Sequence, residues 1–328
     1  MDAVPSLLNS PLHGDKIPAS VSMRLDRLIT LGLVSPLRRV LSRSAQENRR
    51  LPILMYHSIS DDPEPAHSPY YKVCTSPGRF AEHMQWLAEA GYRGVTLSEG
   101  LAWLNAPVPK PQTPNPRSER LVAITFDDGF RDFHTAAFPA LQRHGFTATM
   151  YLPTAFIGDE RKSFKSRECL TWAEVRELSA AGMEFGSHTV NHPTLYKLSW
   201  DEIENELNDS RAMIEKRLGG PARTFAYPFA FPQENSHYTA TLADLLRKLG
   251  YANCVTTIIG RMAPGADPFK LVRLPANSAD DRALLLAKLH GTYDWLRLPQ
   301  SGIRRAKYLL GRNSRSSTDP APPLNPVS

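Results

Sequence analysis

Short apolar runs of strand length recur along this chain, and most are followed by a stretch with helical spacing. The runs are 51–56 (LPILMY), 92–97 (YRGVTL), 121–126 (LVAITF), 147–152 (TATMYL), 183–187 (MEFGS), 224–228 (TFAYP), 252–258 and 270–274. Runs this short and this apolar suit buried strands. Between them the period changes. Residues 77–90 place Phe80, Met84, Leu87 and Ala88 on one helical face, and Gly91 ends the helix. Further helices are expected over 98–105, near 132–144, over 171–181 opened by Thr171, over 240–249 and over 280–296. The segment 199–218 opens with a Ser199-to-Glu202 capping box and gathers Ile203, Leu207, Met213, Ile214 and Leu218 on one side. Strands alternating with helices predict an α/β domain with a mostly parallel sheet. Six or seven such units fit a barrel better than a two-layer sheet. In a barrel, residues that follow the strands share one mouth, and the polar motifs of this chain all sit at strand ends.

The 328 residues allow one large domain or two small ones, and an apolar fraction of 41% is ample for a core. The expected division is a basic extension over 1–50, a catalytic domain over 51–298 and a polar, flexible tail over 299–328. Loops are expected at 60–69 and at 106–118, the latter carrying five prolines. The net charge of +6 concentrates at the ends, in Arg24, Arg27, Arg38, Arg39, Arg43, Arg49 and Arg50, and in Arg304, Arg305, Lys307, Arg312 and Arg315. A solvated surface is the commoner meaning of such ends, and nucleic acid is not an expected partner. Residues 24–43 alternate Leu, Ile and Val with Arg, so a basic amphipathic helix here could lie on a membrane surface or pack on the domain. Neither a secretory signal nor an apolar run of spanning length is visible, and Met23 could serve as the start. The location expected is therefore the cytoplasm or the periphery of the inner membrane. Cys74, Cys169 and Cys254 stand far apart and offer neither a disulfide framework nor a structural zinc site.

Two adjacent carboxylates, Asp127 and Asp128, follow the LVAITF run, and Gly129 lets the chain turn there. Acids so close repel each other unless a cation lies beside them. A bland alternative is a loop pair that caps the next helix. His188 and His192, four residues apart, follow another strand. If one helical turn follows Ser187, both imidazoles fall on one face and can reach one metal ion. Two histidines, one carboxylate and an open position for water form the catalytic zinc arrangement. Zinc is the first choice for that donor set, with Co, Ni, Fe and Mn as alternatives.

These segments together resemble the polysaccharide deacetylases, the NodB-homology group of carbohydrate esterase family 4. TFDDGF, SHTVNHP, the AYPF segment and the opening LMYHSI carry the resemblance, which covers roughly residues 51–275. It implies a distorted (β/α)7-type barrel with a single catalytic domain and metal-dependent removal of N-acetyl groups from hexosamine sugars. By the family pattern Asp127 is the general base, while Asp128, His188 and His192 hold the metal. The Tyr-His strand resembles that of the circularly rearranged members, which implies that the early histidine, here His57, is the acid. His290 in the late LHG segment is the weaker candidate, because it sits in a helical stretch. Tyr227, Pro228 and Phe229 match the third motif, whose Phe229 backbone N–H would bind the oxyanion. The arginine that usually precedes this step is missing; Arg223 lies too early, and Arg273 in LVRLP could orient Asp127 from another strand. The Asp-Trp step of the fourth motif has no clear match, Asp294-Trp295 coming late.

The chemistry implied is coherent in itself. A catalytic zinc lowers the pKa of water from ~15.7 to about 7, so Asp127 can take its proton near neutral pH. His57 would protonate the amide nitrogen as it leaves, and two groups with opposed protonation states predict a bell-shaped pH profile. The substrate expected is an N-acetylated glycan or its precursor. Two alternatives stay open: a metal amidohydrolase of the same barrel acting on a small amide or imide, and a carbohydrate-binding module without catalysis.

Overall fold

The apolar runs form parallel strands that close into a ring. The computed structural model describes residues 25–37, 49–62, 72–107 and 120–313, with side chains through 306. Its strands are β1 Ile53–Tyr56, β2 Tyr92–Val95, β3 Arg120–Phe126, β4 Thr149–Leu152, β5 Ser163–Phe164, β6 Arg167–Glu168, β7 Glu184–Ser187, β8 Thr224–Ala226, β9 Asn253–Ile259 and β10 Leu271–Pro275. Apart from the hairpin β5–β6, they belong to one sheet in the order β1-β10-β9-β8-β7-β4-β3-β2. A further parallel pairing of β1 with β3 joins its ends, so seven strands make a closed (β/α)7-type barrel. The eighth, β2, pairs with the first half of β3 (Tyr92↔Arg120 to Val95↔Ala123). Its Gly94 carbonyl accepts from the Thr147 N–H just ahead of β4. β2 is thus wedged between β3 and β4 at their start, and these two meet directly only at Thr125↔Thr149 and Phe126↔Met150.

Local sequence explains the close fit of these strands. Every residue of β3 after Arg120 is buried, as expected of a strand covered on both faces. Gly186 in β7 is required by crowding: a Cβ there would stand 2.5 Å from Thr224 Cγ2 and 2.7 Å from the Tyr151 ring. The helices begin where capping residues stand. Ser199 and Glu202 complete a capping box on Trp200–Leu218, and Thr171 and Glu174 form a second on Trp172–Ala180. In the helix Pro77–Glu89, Phe80, Met84 and Leu87 are buried with His83, while Ala88 faces solvent.

Several expectations need correction. The helix expected over 280–296 is broken. It runs Arg282–Leu289, turns at Gly291 with φ 79°, and resumes only as the single turn Asp294–Leu296. The tail expected to be loose from 299 starts as the helix Arg297–Asn313, because it has somewhere to pack. No helix lies between β9 and β10 among the described residues, only the turn Pro268–Lys270. Gln300 Nε2 donates to the Thr257 carbonyl at 2.9 Å, and the Ile259 N–H donates to Gln300 Oε1 at 3.0 Å, so the tail helix docks on β9. Near the other end of the chain, residues 25–37 are helical and held to the domain. Arg27 Nε donates to Asp281 at 2.8 Å, Tyr293 to Asp26 at 2.7 Å, and Trp295 Nε1 to Thr30 Oγ1 at 3.0 Å. Residues 1–24 and 38–48 of the extension, most of the expected loops at 60–69 and 106–118, and the tail beyond 313 lie outside the described residues. No helix among the described residues is long and apolar enough to cross a membrane.

Candidate active site

Register delivers the first two site residues to each other. Tyr56 is paired with Phe126 in the parallel β1–β3 ladder, and the Asp127 N–H donates to the Tyr56 carbonyl at 3.1 Å. The next residues, His57 and Asp127, therefore leave the strands side by side, with His57 Nε2 3.9 Å from Asp127 Oδ2. Arg273 reaches the same carboxylate from β10. Its Nη1 and Nη2 lie 2.7 and 2.8 Å from Oδ1 and Oδ2, a two-pronged contact between buried groups. The guanidinium is fixed in turn by the Thr256 carbonyl at 2.9 Å and by Thr125 Oγ1 at 3.3 Å. Burial alone would raise the pKa of Asp127, but the Arg273 charge and hydrogen bonds overcome it and bring the value down to about 2. Asp127 is therefore ionised throughout the neutral range. The pKa of His57 is lowered too, by burial, against the opposing pull of Asp127 and Asp128.

The chain then reverses within two residues. Asp128 and Gly129 have φ of 76° and 66°, a left-handed turn that Asp tolerates and Gly adopts freely. Asp128 Oδ1 consequently faces His192 Nε2 at 3.3 Å and His188 Nε2 at 3.7 Å. The two histidines do not share a helical turn. Thr189 and His192 have φ of 69° and 54°, and the loop is held by side chains instead. Ser187 Oγ accepts from Thr189 N–H, Thr189 Oγ1 from His192 N–H, and Glu206 Oε2 from the Val190 and Asn191 N–H groups at 2.8 and 2.9 Å. This loop brings the imidazoles edge to face at 4.7 Å. The spacing found the pair, but the backbone that unites it is not the one the spacing predicts. Glu206 was missed altogether, since it lies on a helix whose polar face looks like ordinary surface.

Three features fit this trio to a cation. Ligand atoms of Asp128, His188 and His192 all lie within 4.8 Å of one another, and all three residues are buried. His188 Nδ1 lies 2.8 Å from the Ala226 carbonyl, which can only accept, so Nδ1 carries the proton and Nε2 presents a lone pair. Asp128 Oδ1 is buried without a hydrogen-bond partner, a costly state for a carboxylate oxygen. Burial would raise the pKa of Asp128, yet His192, His57 and Lys165 hold it well below the usual carboxylate range. Burial and the neighbouring His192 push His188 down to about 4, so it is neutral and able to ligate.

The remaining candidates divide cleanly. Phe229 is half exposed at φ 58°, with its ring 4.6 Å from that of His192. Pro228 is buried beside it. Tyr227 points elsewhere: its ring packs on Phe231 at 5.1 Å and its hydroxyl lies 3.4 Å from that of Tyr238, so the side chain serves the core. His290 caps the helix Arg282–Leu289 and approaches Tyr92, whose ladder partner is Arg120 at the start of β3. That is the opposite end of the strand from Asp127, and His290 is not part of the site. Asp294 pairs with Arg261 at 3.1 Å. One residue that sequence reasoning overlooked stands against the trio: Lys165 Nζ, at the tip of the β5–β6 hairpin, is 2.9 Å from Asp128 Oδ2.

Comparison with known proteins identifies the family and the fold. The family profile described as Polysaccharide deacetylase matches residues 114–254. YxkH of Bacillus subtilis, named for polysaccharide deacetylase, is 30% identical over 225 residues, covering 69% of this chain and 71% of that protein. The poly-beta-1,6-N-acetyl-D-glucosamine N-deacetylase of Staphylococcus aureus is 27% identical over 169 residues; the match spans 49% of this chain and about half, 55%, of that relative. Among solved structures, the Streptococcus pyogenes deacetylase PplD in complex with acetate superposes with a TM-score of 0.59 at 27% identity, over 74% of this chain and 99% of that one. IcaB from Ammonifex degensii, at 24% identity, shares the fold with a TM-score of 0.59 over 73% of this chain and 97% of its own. With a barrel, an Asp-Asp turn and a histidine pair in the family's order, this chain belongs to the polysaccharide deacetylase family of N-acetyl-removing hydrolases.

Proposed function

We propose that this chain is a metal-dependent N-deacetylase of an N-acetylhexosamine glycan or its precursor, with Asp127 as base, His57 as acid and Asp128, His188 and His192 as metal ligands. The observation that carries it is the orphaned Asp128 Oδ1 facing two imidazole Nε2 atoms, beside a carboxylate already neutralised by Arg273. The N2O donor set favours zinc, with Co, Ni, Fe or Mn as competitors. When bound, the ion would act as a Lewis acid that polarises the amide carbonyl and makes a water acidic enough to deprotonate near pH 7. That contribution matters here because a carboxylate with a pKa near 2 is a weak base.

The protein groups then have separable tasks. Arg273 holds both oxygens of Asp127, so the carboxylate cannot swing away and keeps its charge. Asp127 Oδ2, the oxygen nearer His57, takes the proton from the attacking water. His57 Nε2, 3.9 Å away, delivers a proton to the departing nitrogen, and return of a proton across that gap resets the pair. The Phe229 backbone N–H is the donor assigned to the developing oxyanion, and the half-exposed Phe229 ring offers a face for the sugar. The test is acetate release from N-acetylglucosamine oligomers of β-1,4 and β-1,6 linkage, before and after chelation and after add-back of each metal. Release that needs the metal supports the proposal. Turnover of a cyclic imide with no acetate from any glycan would transfer the site to small amides.

We further propose that the two basic ends contact an anionic membrane surface. Leu25, Leu33 and Leu37 are exposed on the helical segment 25–37, and Leu298 and Ile303 on the helix Arg297–Asn313. That second helix has no acidic residue, and although Arg304 turns inward to the Phe231 carbonyl and Thr257 Oγ1, the exposed Arg297 and Arg305 lie next to or near Leu298 and Ile303 in the sequence, so apolar side chains and cations combine as at a lipid interface. Sedimentation with phosphatidylglycerol vesicles, and none with phosphatidylcholine vesicles, is the expected result; equal recovery from both removes the electrostatic part of the proposal.

A further inference from the structure

The hairpin that bears Lys165 stands in a backbone conformation its sequence does not favour. Ser163 pairs with Glu168 and Phe164 with Arg167, leaving Lys165 and Ser166 as the two turn residues. Both have positive φ, 50° and 62°. Such two-residue turns normally use Asn-Gly or Asp-Gly, and a Lys-Ser pair pays for the left-handed backbone unless its surroundings impose it. The surroundings do impose it. On one strand, the Phe164 ring packs at 4.3 Å from that of Phe156 and 5.2 Å from that of His192. On the other, Arg167 Nη1 bonds Ser60 Oγ at 2.8 Å and pairs with Asp62 at 2.9 Å, tying the hairpin to the loop that follows His57. The Glu168 carbonyl accepts from the Arg131 N–H at 2.9 Å. Lys165 is thereby presented to the site by a rigid arm.

What it meets there is one half of a metal-ligand carboxylate. Asp128 divides its oxygens, Oδ1 toward the two histidines and Oδ2 to Lys165 Nζ at 2.9 Å. The ammonium also lies 4.6 Å from the Phe164 ring centre and 5.8 Å from that of Phe229, so aromatic faces flank it. The Lys165 side chain is 45% exposed, against 3% for Asp128. An exposed lysine gains little from a surface pair, and its strained support therefore points to a role in the site.

We infer that Lys165 is a positioning residue that withholds Asp128 Oδ2 and confines Asp128 to ligation through one oxygen. This rests on the metal-centre reading above. The consequence has a definite sign. A carboxylate shared with an ammonium gives less electron density to a cation, so the ion is held less tightly but is a stronger Lewis acid. Without Lys165, Oδ2 is free to join Oδ1, the site grips the ion with one more donor, and its polarising power falls. Mutating the partners of ligating groups commonly costs ~10–100-fold in metal affinity; here the sign is reversed, because Lys165 competes with the ion for an oxygen of Asp128 instead of orienting it toward the ion.

The experiment titrates Co²⁺ into the chelator-treated full chain, following binding by calorimetry and the visible absorption of the ion. In Lys165→Met the expected result is about tenfold tighter binding with weaker absorption, as higher coordination gives, together with a fall in kcat at little change in KM. Lys165→Arg, which can still engage Oδ2, should keep the parent spectrum. Lys162→Met removes a cation bonded to the Ala155 carbonyl at 2.9 Å and should change neither quantity, which separates the specific contact from general charge. Thermal melts of the metal-free variants show whether each is folded. Unchanged or weaker binding in Lys165→Met, or tighter binding with an unaltered spectrum, overturns the inference while the metal centre stands. If the parent chain takes up no Co²⁺, the metal-centre reading fails and this inference falls with it.

Discussion

Asp127 and Asp128 are neighbours in the chain and both are buried, yet the fold treats them in opposite ways. Asp127 receives two guanidinium hydrogen bonds from Arg273, itself held by Thr256 and Thr125. Asp128 receives one ammonium on Oδ2, while its Oδ1 faces the Nε2 atoms of two imidazoles, His192 at 3.3 Å and His188 at 3.7 Å. The first carboxylate has its counter-charge built in; the second is arranged for one that comes from outside. One turn of backbone makes the difference, because the φ of 76° at Asp128 points successive side chains at different partners. The lesson is that a paired acid motif is not a doubled ligand. In the proposed mechanism one member acts as a base because the protein has already satisfied it.

The largest effect that would break this comparison is a loss of activity with different metal outcomes. Asp127→Asn should lower kcat by ~10²–10⁴-fold, the range for a general base, while the dialysed protein keeps its bound metal. Asp128→Asn should lose the metal. Metal content by elemental analysis beside acetate release makes the distinction; loss of metal from Asp127→Asn would mean that both acids are ligands. Next in size is stability. Arg273→Met leaves the Asp127 carboxylate buried and alone, which should cost about 3–5 kcal/mol in urea unfolding of the chelated protein. Asp128→Asn, whose partner Lys165 is half exposed, should cost only about 1 kcal/mol. Equal losses would show that the two acids are equally built in.

His57 sharpens the comparison from the other side of Asp127. His57→Gln should reduce kcat by about 10²-fold and flatten one limb of the pH–rate profile, whereas His290→Gln should leave both as they are. The assignment of the acid role falls if the profile of His57→Gln keeps its bell shape.

How much of this was legible beforehand follows the range of the interactions. The apolar runs, the capping boxes at Thr171 and Ser199, and the Asp-Asp and His-His motifs are local, and each is visible in a window of a few residues. The barrel followed from their alternation. Arg273 could be named as a partner for Asp127 only because an arginine was missing elsewhere; its two-pronged contact depends on strands 146 positions apart coming into register. Lys165 gave no signal, since its hairpin strands are two residues long and its turn lacks the usual Asn-Gly. The helical turn expected to unite His188 and His192 is replaced by a loop, because Glu206, a residue on another element, accepts from the Val190 and Asn191 N–H groups between the left-handed Thr189 and His192. The tail helix was missed for a similar reason. Its sequence is polar, and only the exposed flank of β9 gives it a surface to cover.

The smallest of the expected effects separates the two halves of the site by acidity. In the chelated protein, His188 is held down at about 4 from its ordinary 6.5, so the unfolded chain binds its proton more readily. A group of this kind erodes stability as pH falls from about 6.5 toward 4, by roughly 3 kcal/mol if the full shift is realised. Asp127 has its folded value at about 2 against 3.8, so its contribution is complete above pH 4 and is lost only between about 4 and 2. That second loss is roughly 2 kcal/mol. Urea midpoints of the metal-free chain, taken from pH 8 downward, should therefore fall in two stages, the histidine stage first. His188→Asn should remove the upper stage and spare the lower. Arg273→Met should spare the upper stage and shrink the lower one without removing it, because Asp127 then has no depressed value to lose while Asp128 and Glu174, also lowered, still do. If the upper stage survives in His188→Asn, other buried histidines carry it: His57 and His83 are also lowered by burial, and the fault line then runs around the whole barrel mouth and its flank instead of between two adjacent carboxylates.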